Sequence, residues 1–373
     1  MAATPVAGVL RHQLFRPSEP FIASQALALK TFTPLFIGRD PVGQSPASSS
    51  LSVADFGRRA LLSYLLTRRC APLRAALAER DVALLHAHFG VEGVYAVPTA
   101  RALRIPLVTT LHGFDVTVTK SKLLASRKPS WVTYVTGRGD LFRYGTVFVC
   151  VSEHIRRCAQ EWGYPADRLV VLPIGVDVDA IQPAAPVDVP RVLHIARLVP
   201  KKGTEVLLRA FAAARRAVPD AELVVVGDGP LRPALTALAA ELGIGPAVHF
   251  RGALPHARTL HELRVARLLC LPSTTGPDGD QEGLGMVLLE AAATARPVIG
   301  TRHGGIPEAV SDGVNGFLVP EKDAPALADR LVTLLRDPQV CAQFGKAGRE
   351  LVVERFNLRR QTDQLESLYR TLL

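Results

Sequence analysis

The sequence predicts an α/β protein with two doubly wound halves that face each other across a cleft. Its 373 residues are enough for two domains that each bury a core. Short apolar segments alternate with amphipathic ones in both halves. Residues 178–190 lose this periodicity and gain proline, which predicts an interdomain linker. We therefore expect domains at residues 1–180 and 181–355, and a C-terminal helix at 356–373 that packs back on the first domain.

Eleven apolar segments are predicted to be strands. In the first half they cover residues 31–37, 82–86, 106–111, 147–151 and 169–172. In the second half they cover residues 192–195, 222–226, 248–251, 268–271, 297–300 and 316–319. Helical patterns separate most of them, for example at 204–217 and 231–242, and the serine-rich residues 45–52 are predicted to be a mobile loop. Parallel Rossmann-like sheets of this kind bind ligands beyond the carboxyl ends of their strands.

The composition excludes several classes of protein. The hydrophobic share of 48% is spread along the chain, and no uninterrupted apolar stretch is long enough to span a bilayer. The first ten residues lack the basic start and apolar region of a secretion signal. Five cysteines stand without metal-binding or disulfide spacing. We expect a cytoplasmic protein with reduced cysteines.

The net charge of +10 belongs mainly to the first half. Residues 1–180 carry 21 basic and 13 acidic side chains, whereas residues 181–373 carry 23 and 21. The basic residues concentrate at 57–80, which resembles one basic amphipathic helix, and at 120–143. Such a helix can lie peripherally on an anionic membrane surface, and a solvated helix face explains the pattern equally well. Nucleic acid is not an expected partner, because few aromatic residues interleave with the basic ones.

Residues 271–320 carry the most informative pattern in the chain. Glu282 and Glu290 stand around the start of an apolar helix that Gly283, Leu284 and Gly285 are predicted to open. The unpaired amides of a helix start favour an anion. Two carboxylates two helical turns apart can bind two sets of hydroxyls on either side of one diphosphate. A nucleotide sugar has that layout.

Arg197 and Lys202 follow the first predicted strand of the second half. Two cations at a strand end can neutralise a diphosphate and stabilise a departing nucleotide. The alternative is a pair of surface cations in a loop, and their position in the same half as Glu282 favours function. The glycines at 227–229 are interpreted as a structural turn, and residues 251–254 as the place where a base is read by backbone groups.

Histidines mark the strand ends of the first half. His112, followed by Gly113, closes a predicted strand and can hydrogen-bond a sugar hydroxyl, while Asp115 either holds the loop or orients the imidazole. His86 and His88 share one strand face, so a metal site with His112 is an alternative. No cysteine or carboxylate cluster completes such a site, and we expect no metal.

The chain resembles glycosyltransferase family 4, a large retaining family with the GT-B fold, over nearly its whole length. Its most specific element is the E-x7-E pattern from Glu282 to Glu290. The resemblance implies that Arg197 and Lys202 bind the donor diphosphate, that Glu282 holds hydroxyls of the donor sugar and that Glu290 binds the ribose. It implies that His112 contacts the sugar beside the reacting centre.

Four short segments narrow the resemblance to glycosyltransferases of the colanic-acid and amylovoran type, namely residues 17–25, 86–90, 111–115 and 278–283. Two departures from the family are Ala196 and Ala295, where glycine is usual. A glycine-rich loop near the N-terminus is replaced by residues 16–20, so Glu19 faces either the acceptor or the donor. His88 and Asp115 are further candidates for such contacts.

The resemblance implies transfer of a hexose from a UDP- or GDP-sugar to an acceptor hydroxyl with retention of configuration. The expected acceptor is a lipid-linked oligosaccharide in exopolysaccharide or cell-surface glycan synthesis, reached from the inner membrane face. Beyond the nucleotide sugar, which is the substrate, no cofactor is expected, since Arg197 and Lys202 replace a metal. Three alternatives stay open: a small soluble acceptor, as in natural-product glycosylation; a sugar-nucleotide epimerase of the same fold; and a non-enzymatic binding module.

Overall fold

The computed structural model describes residues 4–16, 18–40, 49–185 and 187–373, and the chain divides into two compact units. The first unit comprises Met1–Gly175 together with Leu358–Leu373, and the second comprises Val176–Asn357. The boundary therefore falls five residues before the predicted one. The predicted linker belongs to the second unit, because the Arg349 guanidinium donates hydrogen bonds to the carbonyls of Val178 and Ile181.

In the described residues, the first unit contains a seven-stranded parallel sheet with the strand order β3-β2-β1-β4-β5-β6-β7. Its strands are β1 (Val6–Leu10), β2 (Thr33–Gly38), β3 (Ser50–Ser52), β4 (Val82–His88), β5 (Leu107–Leu111), β6 (Val147–Cys150) and β7 (Leu169–Val171). The helices between them are α1 (Pro20–Leu27), α2 (Arg58–Thr67), α3 (Ala71–Ala78), α4 (Gly90–Leu103), α5 (Phe114–Thr117), α6 (Lys120–Ala125), α7 (Pro129–Tyr144) and α8 (Glu153–Trp162).

The described part of the second unit contains a six-stranded parallel sheet with the order β10-β9-β8-β11-β12-β13. Its strands are β8 (Arg191–Ile195), β9 (Glu222–Val226), β10 (Val248–Gly252), β11 (Leu268–Leu271), β12 (Val298–Thr301) and β13 (Gly316–Val319). Its helices are α9 (Thr204–Ala217), α10 (Arg232–Glu241), α11 (His256–Val265), α12 (Met286–Ala293), α13 (Ile306–Ala309), α14 (Ala324–Arg336) and α15 (Pro338–Arg355). This strand order is that of a doubly wound Rossmann sheet.

The last helix, α16 (Leu358–Leu372), returns to the first unit. Its buried Leu365 and Tyr369 pack in one apolar cluster with Phe32, Leu84 and Val108. The Tyr369 hydroxyl lies 2.5 Å from Nδ1 of His86 on β4. The helix therefore completes the core beneath the first sheet.

Two strands differ from the sequence prediction. The prediction missed β1, a central strand that pairs with β2 on one side and β4 on the other. A Cβ at Gly8, in the middle of β1, would lie 2.7 Å from Leu85 Cδ2, so the strand packs closely against β4. Residues 50–52, predicted as part of a mobile loop, form β3, whereas residues 45–48 lie outside the described part of the chain.

The basic segment 57–80 forms two helices, not one. Helix α2 ends at Thr67, Arg68 adopts a left-handed conformation with φ of 62°, and α3 begins at Ala71. The Arg68 guanidinium turns back to form an ion pair with Asp140 on α7, 2.9 Å away. Among the described residues, no helix combines the length and the apolar character that crossing a membrane requires.

Candidate functional site

The candidate residues of the second unit converge where its strand order reverses. From β8 the chain passes to β9 on one side, while β11 lies on the other side of β8. The strand order therefore reverses between β8 and β11, and such a switch point forms a ligand-binding crevice at the carboxyl ends of the two strands. The first loop carries Arg197 and Lys202, and the second carries Glu282.

Glu282 and Lys202 form an ion pair within this crevice. Oε2 of Glu282 also accepts a hydrogen bond of 3.2 Å from the hydroxyl of Ser273, which is completely buried after β11. The side chains of Lys202 and Glu282 are 15% and 13% exposed, so both remain within reach of a ligand.

The local charges keep Glu282 ionised. Burial alone would raise its pKa, but the ammonium groups of Lys202 and Lys201, with the hydrogen bonds from Lys202 and Ser273, lower the pKa of Glu282 to about 2. Burial lowers the pKa of Lys202, which Glu282 opposes. The arrangement is a buried carboxylate held by cations, which is suited to accepting hydrogen bonds from hydroxyls.

Arg197 supplies a cation that faces solvent. Its side chain is exposed, and among the described residues its guanidinium has no hydrogen-bond or ion-pair partner. Lys201, by contrast, is engaged by Asp280 at 2.9 Å and by the carbonyl of Gln281 at 3.2 Å. The crevice therefore contains one guanidinium that is available for an anionic ligand.

Two close backbone contacts hold these loops. Gly203 has φ of +65°, and a Cβ there would lie 1.9 Å from the carbonyl oxygen of Pro272. Gly227 has φ of +125°, and a Cβ there would lie 1.9 Å from the carbonyl oxygen of Ala196. The glycines let the β8 loop contact the loops after β9 and β11 directly. The contact at Gly227 supports the structural interpretation of the turn at 227–229.

The helix after Glu282 begins later than predicted. Gly283, Leu284 and Gly285 precede α12, which begins at Met286, and Gly285 has φ of +82°. Glu290 lies within α12, and its Oε1 accepts a hydrogen bond of 2.8 Å from Nε2 of His256, the first residue of α11. The sequence prediction did not include His256.

A second histidine missed by sequence reasoning contacts Glu282. Nε2 of His303 accepts a hydrogen bond of 3.2 Å from the backbone N–H of Glu282, and Nδ1 of His303 lies 2.8 Å from the Glu321 carboxylate. The backbone N–H of Thr275 also donates to Glu321 at 2.8 Å. Since Nδ1 carries the proton that it donates to the carboxylate, Nε2 is unprotonated and accepts the hydrogen bond from Glu282. The position of His303 just after β12, at a carboxyl strand end, was the signal that could have identified it.

In the first unit the three predicted histidines form a stacked group. The rings of His86 and His88 stack at 4.4 Å, and those of His88 and His112 at 5.2 Å. Nδ1 of His88 and Nε2 of His112 share a hydrogen bond of 3.0 Å. Burial lowers the pKa of His86 to about 3 and holds the pKa values of His88 and His112 well below the usual range. All three are neutral imidazoles at pH 7.

Of this group, only His112 is partly exposed. His88 is 2% exposed and lies beneath His112, so it orients that ring instead of contacting a ligand. Asp115 is completely buried and accepts hydrogen bonds from the backbone N–H groups of His112, Gly113 and Gly90. It therefore holds the loop, which is one of the two roles that the sequence left open, and is not placed to contact a ligand directly.

Glu19 forms a two-point ion pair with Arg11, with distances of 2.8 and 3.0 Å. Arg11 also pairs with Glu92, which is 1% exposed, and stacks over the Phe89 ring at 4.3 Å. The Glu19 side chain is 14% exposed. Glu19 thus borders a small pocket that Phe15, Arg16, Ile22 and Phe36 also line. Pro17 of the motif 17–25 lies outside the described residues.

Within the residues that the structure describes, no group of three or more His, Cys, Asp or Glu side chains has the arrangement of a metal site. The five cysteines are unpaired thiols, and none lies among the candidate residues. The candidate residues of the second unit supply cations and carboxylates at the sheet crevice.

Comparisons with known proteins identify the family of the chain. The family model described as glycosyl transferases group 1 matches residues 177–351, and the model described as Glycosyltransferase Family 4 matches residues 42–180. A glycosyltransferase assigned to colanic acid biosynthesis, WcaL of Escherichia coli, is 32% identical over 84% of this chain and 75% of its own. The amylovoran biosynthesis glycosyltransferase AmsK of Erwinia amylovora is 30% identical over 72% of this chain and 65% of its own.

Another relative and one solved structure extend the comparison. A GDP-mannose-dependent α-(1-6)-phosphatidylinositol monomannoside mannosyltransferase of Mycolicibacterium smegmatis is 34% identical over 70% of this chain and 69% of its own. The structure of Anabaena HepE in complex with UDP and glucose superposes with a TM-score of 0.77 over 99% of this chain and 100% of that one, at 20% identity. Together, the family models, the identity to WcaL and the shared architecture show that the chain belongs to glycosyltransferase family 4 and is a glycosyltransferase with the GT-B fold.

Proposed function

We propose that the protein transfers a hexose from a nucleotide diphosphate sugar to the hydroxyl of a lipid-linked acceptor, with retention of configuration. The observation that carries the proposal is the Lys202–Glu282 pair beside the exposed Arg197 in the crevice of the second sheet. Both cations can neutralise the diphosphate, and the ionised carboxylate can accept hydrogen bonds from sugar hydroxyls.

Arg197 and Lys202 would act on the leaving group. As the bond between the sugar C1 and the phosphate oxygen breaks, negative charge grows on the diphosphate. Cations fixed beforehand in a partly buried site stabilise that charge more than water does. The close contact at Gly203 fixes the loop that carries Lys202, so the ammonium is held in place before the reaction. These cations supply the charge that a metal supplies in other transferases.

The state of Glu282 argues against its acting as a base. A carboxylate with a pKa of about 2 accepts protons poorly at neutral pH, and its charge is already compensated by Lys202. In the proposed reaction the acceptor oxygen attacks C1 from the face that the phosphate leaves. The acceptor proton passes to the departing phosphate oxygen. No covalent sugar–enzyme bond is required.

Two classes of nucleotide are candidates for the donor. HepE was crystallised with UDP, whereas the mannosyltransferase relative depends on GDP-mannose. We propose a UDP- or GDP-sugar, with the base near the turn at residues 251–254 and the ribose at Glu290.

The test is nucleotide release from a panel of UDP-, GDP- and ADP-sugars, with and without a lipid-extract acceptor. We expect release from one donor, a rise on addition of acceptor, and loss of release in Glu282→Gln. Glu241→Gln changes an exposed carboxylate on α10 and serves as the matched control. Conversion of the donor without acceptor to an epimeric sugar would support the epimerase instead. Equal activity with small soluble glycosides and no response to lipid would contradict the lipid-linked acceptor.

Helix α2 supports a membrane location for the acceptor. Leu62 and Leu66 lie one turn apart and are 57% and 75% exposed. Arg58, Arg59 and Arg69 flank them and are also exposed. We name these five residues the α2 patch. Apolar side chains bordered by arginines favour binding to the surface of an anionic bilayer, where the leucines enter the acyl boundary and the guanidinium groups meet phosphates.

Vesicle sedimentation tests the α2 patch. We expect binding to phosphatidylcholine vesicles that contain phosphatidylglycerol, and weaker binding in high salt because the charges are screened. Changing Leu62 and Leu66 together to serine should weaken binding roughly tenfold, since both apolar side chains lose their burial in the bilayer. Leu27→Ser alters an exposed leucine on α1 and is the control. Binding that does not depend on anionic lipid would contradict the proposal.

A further inference from the structure

The Glu290 carboxylate is held by a side chain from a different helix. Nε2 of His256 lies 2.8 Å from Oε1 of Glu290. Among the described residues, no other group forms a hydrogen bond or an ion pair with that carboxylate. The Glu290 side chain is 14% exposed and that of His256 is 44% exposed. Within the described part of the chain, His256 therefore engages one oxygen of the Glu290 carboxylate, and the other oxygen stays available.

Both partners stand on rigid backbone. His256 is the first residue of α11, and the carbonyl of Pro255 before it accepts hydrogen bonds from Arg258 and Thr259. Glu290 lies in the middle of α12. The hydrogen bond with Glu290 raises the pKa of His256 above its ordinary value, which favours the charged imidazolium beside the carboxylate. The two helix positions and the hydrogen bond together select one orientation of the Glu290 side chain, which otherwise has several rotamers.

We infer that His256 is a positioning residue that holds Glu290 in the orientation required to bind the ribose of the donor. The inference rests on the proposed role of Glu290. An ionised carboxylate has about four lone-pair sites, so one hydrogen bond from His256 leaves capacity for the ribose hydroxyls. Prior ordering of Glu290 removes part of the entropy cost of binding.

Calorimetric titration with UDP and GDP, each beside its 2′-deoxy form, tests this inference without depending on turnover. The wild-type protein should prefer the ribose form, and Glu290→Gln should lose that preference. His256→Ala should lose most of the preference and bind the ribose nucleotide about fivefold to tenfold more weakly, since an unordered carboxylate must be fixed on binding. His256→Gln should restore the preference, because its side-chain amide can still donate to Glu290.

His261→Ala is the matched control, since His261 is exposed on the same helix. It should behave as wild type, and melting temperatures should show that every variant is folded. Loss of the preference in Glu290→Gln but not in His256→Ala would overturn the positioning role and leave the role of Glu290 intact. Absence of the preference in the wild type, or its survival in Glu290→Gln, would contradict ribose binding at Glu290 and the inference with it.

Discussion

The Glu282 carboxylate remains charged inside the protein because two lysines outweigh the effect of its burial. Its pKa falls to about 2 from an ordinary value of 4.5. Loss of either lysine would be costly, because the buried charge of Glu282 would then be less well compensated. Lys202 is thus important for holding Glu282 as well as for binding the proposed diphosphate.

The lowered pKa of Glu282 predicts a pH-dependent contribution to stability. At a pH between the pKa of about 2 in the folded protein and the ordinary pKa of 4.5, the unfolded chain binds more protons than the folded chain. This contribution to stability is therefore present above about pH 4.5 and is lost as the pH falls towards 2. The full shift corresponds to roughly 3 kcal/mol. The difference in melting temperature between wild type and Glu282→Gln should therefore shrink from pH 7 to pH 3. A difference that stays constant over this range would show that Glu282 has an ordinary pKa.

The tautomer of His303 depends on a single residue, Glu321. With Glu321→Ala, Nδ1 of His303 loses its carboxylate partner, and the acceptor facing the Glu282 backbone is no longer fixed. We expect kcat/KM for the donor to fall about tenfold, the equivalent of one hydrogen bond of about 1.4 kcal/mol. The measurement is steady-state kinetics, with Lys322→Ala at the exposed neighbouring position as control. Equal kinetics in Glu321→Ala and wild type would show that this tautomer is unimportant.

At the scale of elements, the candidate site depends on how closely loops approach one another. Gly203 and Gly243 both have left-handed backbone conformations, with φ of +65° and +69°. A Cβ at Gly203 would collide with the carbonyl of Pro272, whereas a Cβ at Gly243 meets nothing within 4 Å. A comparison of alanine substitutions at the two glycines therefore distinguishes the effect of backbone strain from that of steric contact.

Alanine substitutions at these glycines should have different consequences. Gly243→Ala should destabilise the protein by about 1 kcal/mol through backbone strain alone, with unchanged nucleotide binding. Gly203→Ala must in addition displace the loop that carries Lys202, so it should lower stability further and weaken nucleotide binding at least tenfold. Urea unfolding followed by circular dichroism and calorimetric titration with UDP and GDP measure both effects. Similar binding by the two variants would contradict the importance of the Gly203 contact.

At the scale of the whole molecule, the first unit is built from both ends of the chain. The Glu366 carboxylate on α16 accepts hydrogen bonds from the backbone N–H groups of Lys30 and Thr31, at 2.8 and 2.6 Å. Glu366 is 2% exposed, so these contacts are shielded from water. The loop before β2 is thus fixed by a residue more than 330 positions away.

Removing the Glu366 carboxylate should destabilise the first unit. Glu366→Ala leaves two N–H groups without an acceptor and should lower the free energy of unfolding by about 2 kcal/mol. Asp363→Ala, on the same helix, removes an exposed ion pair with Lys30 and should change it by less than about 1 kcal/mol. Trp131 and Trp162 both lie in the first unit, so tryptophan fluorescence during urea unfolding reports on it directly. Equal effects of the two substitutions would contradict the role of Glu366.

The sequence by itself determined the fold class, the family and most strands. Predicted strands 222–226, 268–271 and 316–319 coincide with β9, β11 and β13, because buried parallel strands are continuous apolar runs that single-sequence patterns detect. The E-x7-E pattern and the cations after β8 were also visible, since one short segment carries each of them.

Only the tertiary structure decided the contacts between segments that are distant in the chain. Strand β1 escaped prediction because a glycine interrupts its short apolar run, and only the pairing with β2 and β4 identifies it as a central strand. His256 pairs with Glu290, 34 positions away, and His303 contacts Glu282, 21 positions away. A lone histidine has no local periodicity, so its partner becomes known only when the strand order brings the two loops together. Local pattern thus specified the elements, while the topology of the sheets specified which side chains meet.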